Sequence, residues 1–398
     1  MTITIPLTVL IFSLAVFAGY TFFTVKFRNG NKKPDGGLHN TYGKALPPVS
    51  ILVTVKNIDD DMEENFKSFF NLDYPFYEIL FGVDSMEDPL VAVIESLRIK
   101  FPSVPAHIIP TGHSTIDNPK VHKLVVMTEE AMGELYWIID FNIRVEADTL
   151  MKLVTEYLSS NSKLVFSPIR AGGSRSIGSI IENAYINHFL SGNVIMAWKL
   201  FKQHIIVGKS ILVEKKTLNR FGGFSYFKDY LAEDYMMGET YTQSRLPIST
   251  NFTWVTNINQ TTTVKGFFSR MERWAKLRYR LKPHVYVLEV LMNPIMLALL
   301  FGLIIGGKEG RFLFAGTVFF KLFLEFINFL MVNREDRGNI SIIAKLPFCI
   351  LMKDILLFIV YFVPFFSSSV QWRDGGKISI GKKTLIALSR ESLLYKGV

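Results

Sequence analysis

The chain of 398 residues carries 44 Lys and Arg against 35 Asp and Glu, a formal charge of +9, and only 20% of its residues are charged. Hydrophobic residues make up 49%, and mean hydropathy is +0.26. That composition excludes a disordered chain and argues against an ordinary soluble domain, where charged residues supply about 25%. With one cysteine, Cys349, there is no disulfide framework and no Cys-based zinc site.

The apolar residues are concentrated. Met1 to Val25 contains no charged side chain, and Ile5 to Val25 is mostly apolar. At ~1.5 Å per residue, such a helix crosses the ~30 Å hydrocarbon core of a bilayer. No basic segment precedes it, so residues 1–27 are expected to be an uncleaved membrane anchor rather than a signal peptide.

A domain expected over 45–265 follows, in which strand-like and helix-like stretches alternate. Val49–Val55 and Tyr77–Val83 are short apolar runs, each followed by a helical pattern through Phe70 and over Pro89–Phe101. Ala106–Pro110 and Leu135–Asp140 repeat the alternation. Continuous apolar strands between amphipathic helices predict a parallel, doubly wound α/β sheet. In such sheets ligands bind at the carboxyl ends of the strands.

Two of those ends are acidic. The second strand runs into Asp84-Ser-Met-Glu87-Asp88-Pro, and the fourth into Asp140-Phe-Asn142. Asp88 before Pro89 fits a helix N-cap as well as it fits a ligand-binding carboxylate. Asp140, with a polar residue two positions on, can hold a divalent cation that neutralises a diphosphate. A third cluster, Glu233-Asp234-Tyr235, opens a helical stretch, where acids also complement the helix dipole. Lys120, after a turn at Asn118-Pro119, reads on its own as solvated surface.

Over 266–283 the residues Phe267, Met271 and Trp274 recur at helical spacing beside Arg270, Arg273, Lys276 and Arg280. This predicts an amphipathic helix on the membrane surface, whose basic side meets lipid headgroups, meets a phosphate-bearing substrate, or is simply solvated. Membrane segments are expected over 284–372, at Val290–Gly307, Phe312–Val332 and Ile355–Phe366, with a polar tail over 373–398. Lys353 and Asp354 interrupt the last segment, leaving its first part interfacial or re-entrant. Lys321 and Glu325, one helical turn apart, either neutralise each other or face a neighbouring helix.

Lys26, Arg28, Lys32 and Lys33 follow the first span, and Arg270 to Lys282 precede the second, so the central domain is expected in the cytosol. The sequons at Asn251, Asn259 and Asn339 are then expected to stay bare. Because the basic residues cluster beside membrane spans, nucleic acid is a poor fit as partner.

In order, Asp88, Asp140, Asp234 and Arg270-Met-Glu-Arg273-Trp274 resemble the acidic and (Gln/Arg)-x-x-Arg-Trp motifs of membrane-bound family 2-type glycosyltransferases. The wording of Leu72–Leu80, Asn118-Pro-Lys120, Trp137–Asp140, Ile143-Arg-Val and Ala232–Tyr235 is most similar to ceramide glucosyltransferases, over roughly residues 45 to 375. The resemblance implies a GT-A, Rossmann-like catalytic domain between an amino-terminal anchor and carboxy-terminal transmembrane helices. It implies transfer of glucose from UDP-glucose to the primary hydroxyl of ceramide, with inversion, in the Golgi or endoplasmic reticulum. Asp88, Asp140 and Lys120 would bind the donor, Asp140 with a divalent cation (Mg2+ or Mn2+). Asp234 would be the general base, and Arg270, Arg273 and Trp274 would shape the donor and acceptor site. The chain departs from the pattern around the donor, with Phe141-Asn142 for Ser-Gly, Val53 for Lys, and Thr111-Gly-His for a Gly-Gly-Lys-like turn. Transfer to another lipid or a polysaccharide, and an inactive scaffold, are the competing readings.

Overall fold

The computed structural model describes residues 4–30, 46–55, 60–114, 118–367, 369–371 and 377–379. Lys32, Lys33, Arg373, Lys382, Lys383 and most of the 373–398 tail lie outside the described residues. The chain forms two compact units, each assembled from separated stretches. One comprises Lys26–Ala171 and Ala197–Ile258; the other comprises Met1–Val25, Gly172–Met196 and Asn259–Val398.

The first unit is an α/β domain. Its strands are β1 (Val49–Thr54), β2 (Tyr77–Val83), β3 (Ala106–Pro110), β4 (Leu135–Asp140), β5 (Ile143–Arg144), β6 (Leu164–Phe166), β7 (Ile169–Gly172), β8 (Ser210–Glu214), β9 (Ile248–Ser249) and β10 (Val255–Ile258). Seven form one sheet in the order β3-β2-β1-β4-β8-β6-β9, and β5-β10-β7 form a second. The strands legible as unbroken apolar runs, β1 to β4, pair in parallel, as do β6 and β9, and Ile51, Leu52 and Val53 are fully buried, as expected of strands covered on both faces. The sheet as a whole is mixed rather than wholly parallel. Strand β8 runs antiparallel between β4 and β6. Its register pairs Ile139 with Ser210, so the start of β8 lies beside the acidic end of β4.

The second unit is helical. Thr4–Lys26 (23 residues), Gly307–Val332 (26) and Ile340–Phe366 (27) are each long and apolar enough to cross a membrane, so the chain is a membrane protein. The span expected at Val290–Gly307 is instead bent by 69° between Pro283–Met292 and Pro294–Ile305. Asn293 causes the break. Its side chain caps the second helix at Met296 N and donates to the Asp354 carbonyl, and Pro294 takes the first helical position. Gly302 and Gly310 let the next two helices touch, since a Cβ on Gly302 would stand 2.8 Å from the Gly310 carbonyl oxygen.

Lys353 and Asp354 do not interrupt the last helix. Lys321 pairs with Glu325 at 2.5 Å and with Asp354, while Lys353 pairs with Glu325 and lies 3.8 Å from Asp354. All four are buried, and two positive charges balance two negative ones. Ions that would be costly singly are tolerated as a closed set.

Candidate active site

In the α/β unit, three of the singled-out residues converge on the end of β4. Helix Pro119–Glu130 starts there because Asn118 accepts from the Lys120 and Val121 amides and Pro119 occupies the first position. The Lys120 ammonium then reaches Asp140 Oδ1 at 2.8 Å, Glu233 at 3.2 Å and the Gly208 carbonyl at 2.6 Å. Its three donors are matched by three acceptors. The solvated-surface reading of Lys120 therefore fails. Asn118 also donates to Glu233 at 3.0 Å, which ties the start of helix Glu233–Gln243 to the same place.

Asp234 sits one residue on. Its carboxylate accepts from the Gly208 amide (2.7 Å) and its neighbour's amide, Tyr235 N (2.8 Å). Burial and the adjacent Glu233 charge push its pKa up to about 6, against the opposing pull of Lys120 and the two amides. A carboxylate so poised is ionised at neutral pH yet basic enough to take a proton.

Asp140 is tuned the other way. Burial would raise its pKa, but the Lys120 and Lys209 ammoniums outweigh burial and hold the carboxyl well below the usual carboxylate range. Lys209 meets Oδ2 at 2.8 Å and also donates to Asn142 at 3.0 Å. Sequence reading missed Lys209, because nothing in Gly208-Lys209-Ser210 announces an antiparallel strand beginning beside β4. The divalent cation expected at Asp140 meets two ammonium groups in its place. With both carboxylate oxygens taken, and no cluster of three His, Cys, Asp or Glu side chains suited to a metal among the described residues, the residues as arranged do not fit such an ion.

Asp88 is engaged differently. Its carboxylate accepts from Leu90 N at 2.9 Å, which is the capping reading. Beside β2, Asp84 pairs with the buried Lys123 at 2.6 Å.

The motif residues Arg270, Arg273 and Trp274 lie in the helical unit, on Val264–Leu281. This helix is not a simple basic face. Arg270 is paired with the buried Glu182, Lys276 is buried against Glu272 at 2.6 Å, and Arg278 meets Glu289 at 2.8 Å. Trp274 packs on Tyr185, ring centroids 6.2 Å apart. On the same helix, Met271 and Arg278 line a cleft whose other walls include Phe17, Phe189, Leu357 and Phe358.

The mixed α/β sheet, with β1 to β4 parallel and β8 antiparallel beside the acidic end of β4, is a fold shared with GT-A glycosyltransferases. The solved mannosyltransferase PcManGT from Pyrobaculum calidifontis, in complex with GDP-Man and Mn2+, shares this fold. It aligns over 92% of this chain and 99% of its own with a TM-score of 0.52 and 14% identity. The chain belongs to glycosyl transferase family 21, whose sequence model matches residues 8–386. Among similar curated proteins, ceramide glucosyltransferase 3 of Caenorhabditis elegans is 24% identical over 333 residues, 83% of this chain and 72% of its own. Ceramide glucosyltransferase 1 of the same organism is 26% identical, covering 85% and 74%. A ceramide glucosyltransferase of Komagataella phaffii is 36% identical over 117 residues, 27% of this chain and 23% of its own.

Proposed function

We propose that this glycosyltransferase moves glucose from UDP-glucose to the primary hydroxyl of ceramide and inverts the anomeric centre, giving β-glucosylceramide. The acceptor and sugar follow the names of the curated relatives. The observation that carries the chemistry is Asp234, a carboxylate with its pKa raised to about 6 and fixed by the Gly208 and Tyr235 amides. A lipid hydroxyl is a poor nucleophile. Its proton leaves to Asp234 as oxygen attacks the anomeric carbon and the bond to the nucleotide diphosphate breaks. Direct displacement of an α-linked donor gives the β-linked product.

Asp88, Asp140 and Lys120 belong to donor binding in this reading, Asp88 also holding the entry to helix Leu90–Lys100, and Arg270, Arg273 and Trp274 shape the donor and acceptor site. No step is routed through a cation at Asp140. In membranes containing the protein, UDP-glucose and ceramide should yield β-glucosylceramide, and Asp234→Asn essentially none. Equal product from both would remove Asp234 as base, and no product from the parent would remove the reading.

The site is proposed to face the cytosol, on Golgi or endoplasmic-reticulum membranes. Asn251 and Asn259 cannot report on this, because both are buried with amides bonded to the Lys152 carbonyl and to Asn183. Protease added outside sealed microsomes tests it directly. Digestion of the α/β unit is expected, and full protection would reverse the orientation.

A further inference from the structure

Where the chain leaves helix Thr4–Lys26, the α/β unit gathers cations and exposed apolar side chains that the chemistry at Asp234 does not use. Lys26 ends that helix and lies 5.7 Å from the ring centroid of Phe27. Lys199 reaches the same ring from far along the chain, at 4.3 Å, and stands 4.7 Å from the ring of Phe252. The two rings are 4.8 Å apart, and the Trp254 indole donates to the Phe27 carbonyl at 2.6 Å. All of these residues belong to the α/β unit. Lys199 is thus held on an aromatic platform that begins one residue past a membrane span.

Helix Ser191–Phe201 stops two residues beyond Lys199. Lys202 then turns the chain with a φ of 54°, in the left-handed region where glycine is the usual residue, and its amide donates to the Trp198 carbonyl at 3.2 Å. Its ammonium lies 5.9 Å from the Trp198 ring centroid. Leu200 and Phe201, at the end of the helix, are 56% and 65% exposed. Adjacent large apolar side chains left uncovered beside lysines are the make-up of an interfacial anchor. The apolar groups enter the boundary between headgroups and acyl chains, and the cations stay at headgroup level.

The charge here is one-sided. Burial, with repulsion from Lys202 and Lys26, holds the Lys199 pKa below the ordinary lysine range, and Glu156 is the acid that opposes it. An ammonium pressed by two others gains from an anion beside it. The positive-inside pattern accounts for Lys26 and Arg28, which flank the span in sequence, but not for Lys199 and Lys202, which only the fold brings there. A soluble phosphate would answer the charges and leave Leu200 and Phe201 in water. An anionic lipid leaflet answers both.

We infer that Lys26, Lys199 and Lys202, with Leu200 and Phe201, form a docking surface for anionic phospholipid that seats the α/β unit on the bilayer. This surface is independent of the proposed transfer to ceramide and stands or falls without it.

The test uses the full-length protein in nanodiscs, with binding readouts and no turnover. With Cys349, the single cysteine, replaced by alanine, Phe201→Cys carrying an NBD fluorophore should show blue-shifted emission and be quenched by shallow doxyl-phosphatidylcholine. Unquenched, aqueous emission overturns the docking. A photoreactive phosphatidylserine should label the 196–204 segment. Lys199→Gln with Lys202→Gln should weaken its competition against phosphatidylcholine by about 25-fold, at roughly fivefold per charge removed. Lys199→Arg with Lys202→Arg keeps the charge and should label as the parent does; an equal loss in that variant assigns the effect to packing and overturns the inference. Labelling that phosphatidylcholine competes as well as phosphatidylserine overturns the selection of an anion. Labelling abolished by soluble glycerophosphoserine marks a soluble-anion site and overturns the lipid assignment.

Discussion

Gly208 is the residue on which the base depends most sensitively. Its amide donates to Asp234 Oδ2 at 2.7 Å, and a Cβ built there would lie 2.9 Å from that oxygen and 3.1 Å from Asp234 Cβ. Gly208 does not lie in the left-handed region, so alanine is refused by space and not by backbone. Gly208→Ala should therefore displace the carboxylate and break its bond to the amide. A hydrogen bond to a charged group is worth about 1.5–3 kcal/mol, equivalent to roughly one to two pH units in the acid limb. Starting from a pKa of about 6, Asp234 in the parent is about nine-tenths ionised at pH 7; in the variant the share falls to between roughly a half and a tenth. Turnover at pH 7 should drop by about two- to tenfold from ionisation alone and further from displacement, with part of the loss recovered by about pH 9. The assay is initial rate against pH with saturating UDP-glucose and ceramide in reconstituted membranes. A variant whose acid limb coincides with the parent's would refute the argument.

Two other perturbations probe the charges. Turnover of the parent is expected to persist in EDTA, because Lys120 and Lys209 occupy both oxygens of Asp140. Lys209→Met frees Oδ2 and should make the rate respond to added Mn2+, and loss of parental activity in EDTA would refute this account. In the helical unit, Lys353→Met leaves the buried acids in excess and should cost about 3–5 kcal/mol, seen as lost monodisperse protein after extraction. Adding Glu325→Gln restores the balance around Lys321 and Asp354 and should recover much of the yield; equal loss in both variants would show that charge balance is not what matters.

The parallel half of the sheet was legible because burial on both faces leaves an unbroken apolar run, and Asp140 stood out as a carboxylate ending one. Strand β8 was not. Its run Ser210–Glu214 has no feature that marks its direction, and only tertiary pairing places Lys209 against Asp140. Asp234 carried an acidic signature that any helix start shares, and its difference lies in Gly208, 26 residues away. The basic row of the motif helix misled for a related reason. Arginine and lysine side chains read as solvent-facing until their partners are known, and Glu182 is remote in sequence from Arg270. The break at Asn293 was also hidden, since an apolar stretch gives length but not straightness. Lys353 and Asp354 looked like an interruption because their countercharges belong to another helix.

The closed set of four buried charges has a consequence for biogenesis. On the scale of translocon insertion, one Lys or Asp at a helix centre costs about 2.5–3.5 kcal/mol. Helix Gly307–Val332 carries one cation and one anion of the set, and Ile340–Phe366 carries the other two. Released into lipid one at a time, each would bear that penalty with only its own neighbour to offset it. The two helices are therefore expected to leave the translocon as a joined hairpin, with the second synthesised before the first is surrendered to the bilayer.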